Sequence, residues 1–143
     1  MINMAIFVSG GGTNCENIIK YFNGSDVARP VLVISNKPGV GAIEKAERLG
    51  VPVRVVRKAG LNDPDVILPL LREFSVDFIV LAGFLLVIPD FLIHEYDHRM
   101  IYSDLNFFHI ELTIPLQYNY IYNKNNLTRF LIDLCAKYII ICS

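Results

Sequence analysis

Short, uniformly apolar runs alternate along this chain with longer stretches whose apolar residues recur at helical spacing. Met4-Ala5-Ile6-Phe7-Val8 is too short for a helix and apolar throughout, the pattern of a strand covered on both faces. Residues 14–22 follow, with Ile18, Ile19 and Phe22 at helical spacing. Val31-Leu32-Val33-Ile34 predicts a second buried strand, and Ala42, Ile43, Ala46 and Leu49 predict a helix that Gly50 ends. Residues 51–56 predict a third strand, with Pro52 near its start, where a ladder tolerates it. Residues 60–63 read as a turn, and Pro64 opens a helix running to about Phe74. Pro69 inside that helix predicts a kink or a late start. Residues 77–82 form the fourth and most apolar strand, and Pro89 starts a short helix with Phe91, Leu92 and Tyr96 on its inner side. This β-α-β-α-β-α-β order implies a doubly wound, Rossmann-like α/β fold, a parallel sheet with helices on both faces. Ligands in such sheets bind at the carboxyl ends of the strands. Residues 10–14, 35–37 and 83–88 all fall on that edge.

The stretch Ser9-Gly10-Gly11-Gly12-Thr13-Asn14 joins the first strand to the first helix. Glycines let backbone N–H groups approach an anion, and a helix N-terminus adds unpaired donors and a positive dipole end. Thr13 contributes a hydroxyl and Asn14 an amide, so Gly11, Gly12, Thr13 and Asn14 are the candidate phosphate binders. A plain glycine turn is the alternative. A P-loop would need Gly-Lys-Ser/Thr, yet no lysine precedes Lys20. The dinucleotide fingerprint would place a third glycine at Cys15 and an acidic residue where Ser35-Asn36 closes the second strand. A small phosphorylated substrate fits better than NAD. The apolar loop Leu85-Leu86-Val87-Ile88 reads either as strand end plus core or as the lining for a flat aromatic ring.

Composition narrows the classes. A chain of 143 residues with 53% hydrophobic content and a net charge of −1 suits one domain and disfavours disorder and broad nucleic-acid binding. The N-terminal apolar run is well short of a signal peptide, and no stretch approaches the roughly 20 residues that span a membrane. Cys15, Cys135 and Cys142 match no metal-ligand spacing, which points to reduced thiols in a cytoplasm. Cys15 sits near a helix N-terminus, a place that lowers a thiol pKa, but no candidate base lies nearby. His94 and His98 are four apart without a third ligand close in sequence, so no metal is expected.

Ser9-Gly10-Gly11-Gly12-Thr13-Asn14, Ser35-Asn36-Lys37, Leu81-Ala82-Gly83-Phe84, Ile88-Pro89 and Arg99-Met100-Ile101 occur in the order and spacing of a known family. Over residues 1 to about 101 the chain resembles the N-terminal half of the phosphoribosylglycinamide formyltransferases, folate-dependent enzymes of purine biosynthesis. The resemblance implies a doubly wound sheet whose glycine loop holds the phosphate of glycinamide ribonucleotide through Gly12, Thr13 and Asn14. It implies that Leu85, Leu86, Val87 and Ile88 line the pterin pocket of 10-formyltetrahydrofolate, the co-substrate. The implied reaction moves a formyl group from folate nitrogen to the substrate amine, and needs donors for a developing oxyanion and a group to move protons. The family supplies these from an Asn-Ile-His-Pro segment after Arg-Met-Ile. Here Tyr102 and Asp104 stand at the asparagine and histidine positions. Asn106 and His109 follow, but their N-x-x-H spacing puts them on opposite faces of a strand, so they are weak catalytic candidates. Asp133 lacks the motif that surrounds the family's late aspartate. A non-catalytic phosphate- or nucleotide-binding module is the alternative reading.

From Tyr102 onward the composition changes. All nine glycines lie at or before residue 83, and every valine lies in the first hundred residues. The tail collects Ile, Tyr, Asn, Phe, Leu and Lys, as in Tyr118-Asn119-Tyr120-Ile121-Tyr122-Asn123-Lys124. The expectation is an α/β domain at 1–101 and a tail at 102–143 that reads as frameshifted or truncated coding sequence, leaving the sheet incomplete and catalysis impaired. The alternative is a divergent C-terminus with a strand near 113–122 and a helix near 127–141. The oligomeric state is not legible.

Overall fold

A computed structural model describes residues 1–97 and 99–103 of the chain. At the centre lies β1 (Ile2–Val8), flanked by β2 (Ala28–Ser35) and β4 (Phe78–Ala82). With β3 (Val53–Val55) and β5 (Met100–Ser103) at the edges, these strands form an all-parallel sheet of order β3-β2-β1-β4-β5. Helices α1 (Thr13–Tyr21) and α2 (Gly41–Arg48) make the outward crossovers. Helices α3 (Lys58–Leu61) and α4 (Pro64–Glu73) carry the chain back across β1, and α5 (Asp90–Glu95) connects β4 to β5. The winding direction reverses between β1 and β4, which makes their carboxyl ends the topological switch point. This is the doubly wound α/β fold expected from the hydrophobic pattern.

Side chains alternate across a strand, and the two faces of the sheet are separately filled. Met4, Ile6 and Val8 of β1 join Phe78, Val80 and Ala82 of β4 against Cys15, Ile18 and Ile19 of α1 and Ala42 and Ala46 of α2. Ala5, Phe7, Ile79 and Leu81 face the other way, against Leu61, Ile67, Leu71 and Leu92. Burial on both faces explains why these strands read as unbroken apolar runs rather than alternating ones.

The observed strands β1 and β2 begin earlier than the apolar runs suggest. Asn3 and Arg29 continue them because the Arg29 Nε donates to the Asn3 Oδ1 at 3.0 Å, satisfying two polar side chains at the sheet end. The register between β1 and β2 shifts at Met4/Ala5, where the partners jump from Pro30 to Leu32 and leave Val31 as the extra residue of a bulge. Pro30 therefore sits where the ladder is already interrupted. β3 is shorter than the expected 51–56 because, among the described residues, it is an edge strand paired to β2 alone.

Two local expectations are corrected. Half of the expected turn at 60–63 is helical: α3 takes in Gly60 and Leu61, because Leu61 buries its side chain with Ile67 and Leu71 and its N–H donates to the Arg57 carbonyl at 2.9 Å. Pro69 does not delay α4. The helix starts at Pro64, where the Asp63 carboxylate accepts from the Asp65 N–H at 2.9 Å, and runs through Pro69 to Glu73. The fifth strand, β5, extends two residues past position 101 and pairs Leu81 with Tyr102 and Ala82 with Ser103. Residues 104–143, including the expected tail strand and helix, lie outside the described residues.

Pro69 is exposed in the interior of α4 and removes one backbone donor from it. Replacing it by alanine is expected to raise stability by about 1–2 kcal/mol, less than the full helix-interior penalty because the unfolded chain also gains freedom. The urea midpoint of P69A against wild type measures it.

Candidate functional site

Three loops meet at the carboxyl edge of the sheet, and all three are tied to the end of β1. The Asn36 N–H donates to the Val8 carbonyl at 3.3 Å, which brings the exit of β2 alongside that of β1. Ser9 is buried, and its Oγ accepts from the Leu85 N–H at 2.9 Å, which brings in the exit of β4. The Ala42 N–H at the start of α2 donates to the Gly10 carbonyl at 3.2 Å. Ser35 is fully buried and shapes the second loop, its hydroxyl donating to the Lys37 carbonyl at 2.6 Å and accepting from the Lys37 N–H at 3.2 Å. The Oδ1 of Asn36 is buried and accepts no hydrogen bond among the described residues.

The glycines of the first loop have distinct tasks. Gly12 caps α1 with φ 76° and ψ 22°, in the left-handed region that L side chains avoid. A Cβ there would stand 2.4 Å from both the Cα and the Cβ of Ala42, so neither the backbone angle nor the space admits a side chain. Gly41 is also closely approached, since a Cβ on it would lie 3.0 Å from the Gly11 carbonyl oxygen, a tight contact that would need the loop to give. Gly10 and Gly11 face open space and are exposed. Thr13 is exposed at the first turn of α1, whereas Asn14 is buried beneath the loop. The four candidate phosphate binders thus form one continuous turn, three of them reachable from solvent.

Charge gathers beside this turn. Glu16, in the first turn of α1, meets Lys20 at 2.8 Å, Arg48 at 3.6 Å and Lys45 at 4.0 Å. The hydrogen bond from Lys20, with the nearby cations, holds its carboxyl below the usual carboxylate range. Lys45 Nζ also donates to the Gly11 carbonyl at 2.7 Å.

Cys15 behaves opposite to the helix-terminus argument. Burial, with the Glu16 carboxylate second, pushes its thiol up to about 12 despite Lys45. It is a core residue, neutral at physiological pH, and not a nucleophile.

The apolar loop alternates in exposure. Phe84 is buried edge-on against Phe7 with ring centroids 5.4 Å apart, and Leu86 and Ile88 pack partly on the same core. Leu85 and Val87 point outward, 72% and 87% exposed. The four candidate folate-pocket residues therefore split into an inner pair that fixes the loop and an outer pair on the ligand edge. His94 is exposed, and no group of three His, Cys, Asp or Glu side chains is placed to hold a metal among the described residues. His98, Asn106, His109, Asp133, Cys135 and Cys142 lie outside the described residues. None of the described helices is long and apolar enough to cross a membrane.

Ser9 and Lys45 escaped the sequence reading as contributors. The serine belongs to the loop motif, but its partner is 76 residues away. The lysine sits one turn into α2, and only packing of α2 on the loop discloses it.

The family model for formyl transferase matches residues 2–103. The chloroplastic phosphoribosylglycinamide formyltransferase of Arabidopsis thaliana is 38% identical over 105 residues, a match that takes in 68% of this chain and 36% of that protein. The trifunctional purine biosynthetic protein adenosine-3 of Gallus gallus is 34% identical over 105 residues, 70% of this chain and 10% of that one. Among solved structures, phosphoribosylglycinamide formyltransferase from Anaplasma phagocytophilum superposes with a TM-score of 0.65 at 31% identity, covering 71% of this chain and 48% of that chain. Glycinamide ribonucleotide transformylase 1 from Geobacillus kaustophilus gives 0.64 at 31% identity, covering 71% and 57%. The chain spans about a third of the plant relative and about half of the two solved chains.

Two expectations follow from the loop and its flank. Gly12→Ala is expected to cost roughly 2–4 kcal/mol, from the left-handed backbone and the overpacking against Ala42 together, read as a lowered urea midpoint. For Cys15, the fold favours the neutral thiol and the unfolded chain ionises at the lower, ordinary value. Its contribution to stability is present below about pH 9 and is lost as pH rises toward 12. The stability difference between wild type and C15A should therefore shrink from pH 7 to pH 10, and a constant difference would refute the assignment.

Proposed function

The chain belongs to the formyl transferase family, and from that premise we propose that it is the substrate-binding half of a phosphoribosylglycinamide formyltransferase of purine biosynthesis. In this reading the turn at 11–14 takes the phosphate of glycinamide ribonucleotide. The loop at 85–88 takes the pterin of 10-formyltetrahydrofolate, with Leu85 and Val87 as the exposed apolar contacts. The observation that carries the reading is the glycine turn itself. It opens α1 at the carboxyl end of β1, with Gly12 forced into the left-handed region, beside the switch point where such folds take ligands. The Ser9–Leu85 hydrogen bond supports placing both ligands in one crevice.

The transfer itself joins the formyl carbon to the ribonucleotide amine, breaks its bond to folate nitrogen, and moves a proton from the amine to that nitrogen. We propose that this chain does not complete it. Tyr102 in β5 and Asp104 stand at the positions where the resemblance needs asparagine and histidine. We take 1–101 as the ligand-binding domain, with 102–143 as a tail of foreign composition, and place the protein in the cytoplasm as a binder of small molecules. That same feature favours a second reading, a phosphate-binding module without catalysis or folate, and folate binding separates the two.

Calorimetric titration with glycinamide ribonucleotide and with a non-reactive 10-formyltetrahydrofolate analogue tests the proposal. Both are expected to bind, and Thr13→Asp is expected to weaken the ribonucleotide by at least about tenfold, because a carboxylate beside the phosphate is repelled in a partly desolvated turn. Ribonucleotide binding without folate binding selects the second reading. No ribonucleotide binding, or an unchanged affinity in T13D, rejects the phosphate assignment.

A further inference from the structure

We infer that Lys45 of α2 is a positioning residue for the glycine turn, setting the direction of the Gly12 N–H; the inference rests on the proposal that this turn takes a phosphate. Every peptide bond among the described residues is trans, so each N–H points opposite to the carbonyl of the residue before it. Two carbonyls of the turn are claimed by α2. The Gly10 carbonyl accepts from the Ala42 N–H at 3.2 Å, and the Gly11 carbonyl accepts from Lys45 Nζ at 2.7 Å. The Gly11 and Gly12 N–H groups must therefore face away from α2, toward the exposed side of the turn. The first peptide is held by a backbone donor, which a side-chain change other than proline leaves in place. The second is held by one side chain.

Without a partner, the Gly11 carbonyl is free to rotate toward an incoming anion, where its oxygen repels and its peptide N–H is withdrawn. Lys45 prevents this, and its ammonium places a positive charge on the far side of the same peptide. A close approach makes the contact possible: a Cβ at position 41 would lie 3.0 Å from the Gly11 oxygen. Glu16 lies farther from the lysine, at 4.0 Å, and is already met by Lys20 and Arg48. The carbonyl, not the carboxylate, is therefore the partner through which Lys45 acts.

Ribose 5-phosphate is the probe, titrated into the full 143-residue chain and its variants well below their melting temperatures. Lys45→Met keeps the aliphatic stem and is expected to bind about tenfold more weakly, the loss of one charge-assisted hydrogen bond behind the ligand. Lys45→Arg restores a charged donor and is expected within about threefold of wild type. Glu16→Gln leaves the Lys45–Gly11 bond and removes a negative charge, so its affinity is expected at or above that of wild type. Equal binding by K45M and wild type overturns the inference while leaving the phosphate turn standing. So does K45R as weak as K45M, or E16Q as weak as K45M, since the first marks a general packing effect and the second an ion pair. Failure of wild type to bind ribose 5-phosphate overturns the phosphate turn, and the inference with it. Should K45M fail to fold, K45R and E16Q still decide, because a tenfold loss in either contradicts the stated role.

Discussion

The approach of Gly12 to Ala42 is the contact on which the rest of the site depends. A Cβ at position 12 would stand 2.4 Å from the Cα of Ala42, so the start of α1 and the start of α2 touch backbone to backbone. That contact lets the Ala42 N–H reach the Gly10 carbonyl and Lys45 reach the Gly11 carbonyl. It also lets Glu16 of α1 face the basic side of α2. A side chain at position 12 would push the helices apart and break all of these at once.

The sheet supplies the rigidity that the loops lack. β1 is buried on both faces between β2 and β4, and the end of β1 is where the other exits are anchored. Val8, Ser9 and Gly10 each accept a hydrogen bond from a different element, namely the β2 exit, the β4 exit and α2. Loops that carry binding groups are most useful when a rigid scaffold sets their relative positions. Here one short segment holds the glycine turn and the apolar loop at a fixed separation.

Recognition and chemistry are unevenly represented. The glycine turn and the apolar loop keep the motifs that carry the family resemblance, whereas position 102, in register with Leu81, carries a tyrosine. Binding an anion asks mainly for backbone donors held in a fixed direction, which a glycine turn and its neighbours can supply without a reactive side chain. Proton transfer needs particular side chains at particular strand positions, and a change of one residue in spacing turns a strand side chain to the other face.

The amino-acid sequence by itself determined the order of β1 to β4 with α1, α2, α4 and α5 and their parallel sheet, since each follows from local periodicity and from the short connections the chain permits. It also located the glycine turn, because glycines between a buried strand and a helix leave few alternatives. Only the tertiary structure decided what the neighbours of that turn do. The position of Cys15 near a helix terminus favours a lowered thiol pKa, but burial outweighs a partial charge, and the thiol is driven the other way. Leu85 and Leu86 are identical in sequence terms, yet the packing of Phe84 on Phe7 leaves one outward and the other partly buried against the core. Lys45 and Ser9 act on partners 34 and 76 residues away. Contacts at such separation depend on how helices seat on the sheet, and no local pattern encodes them.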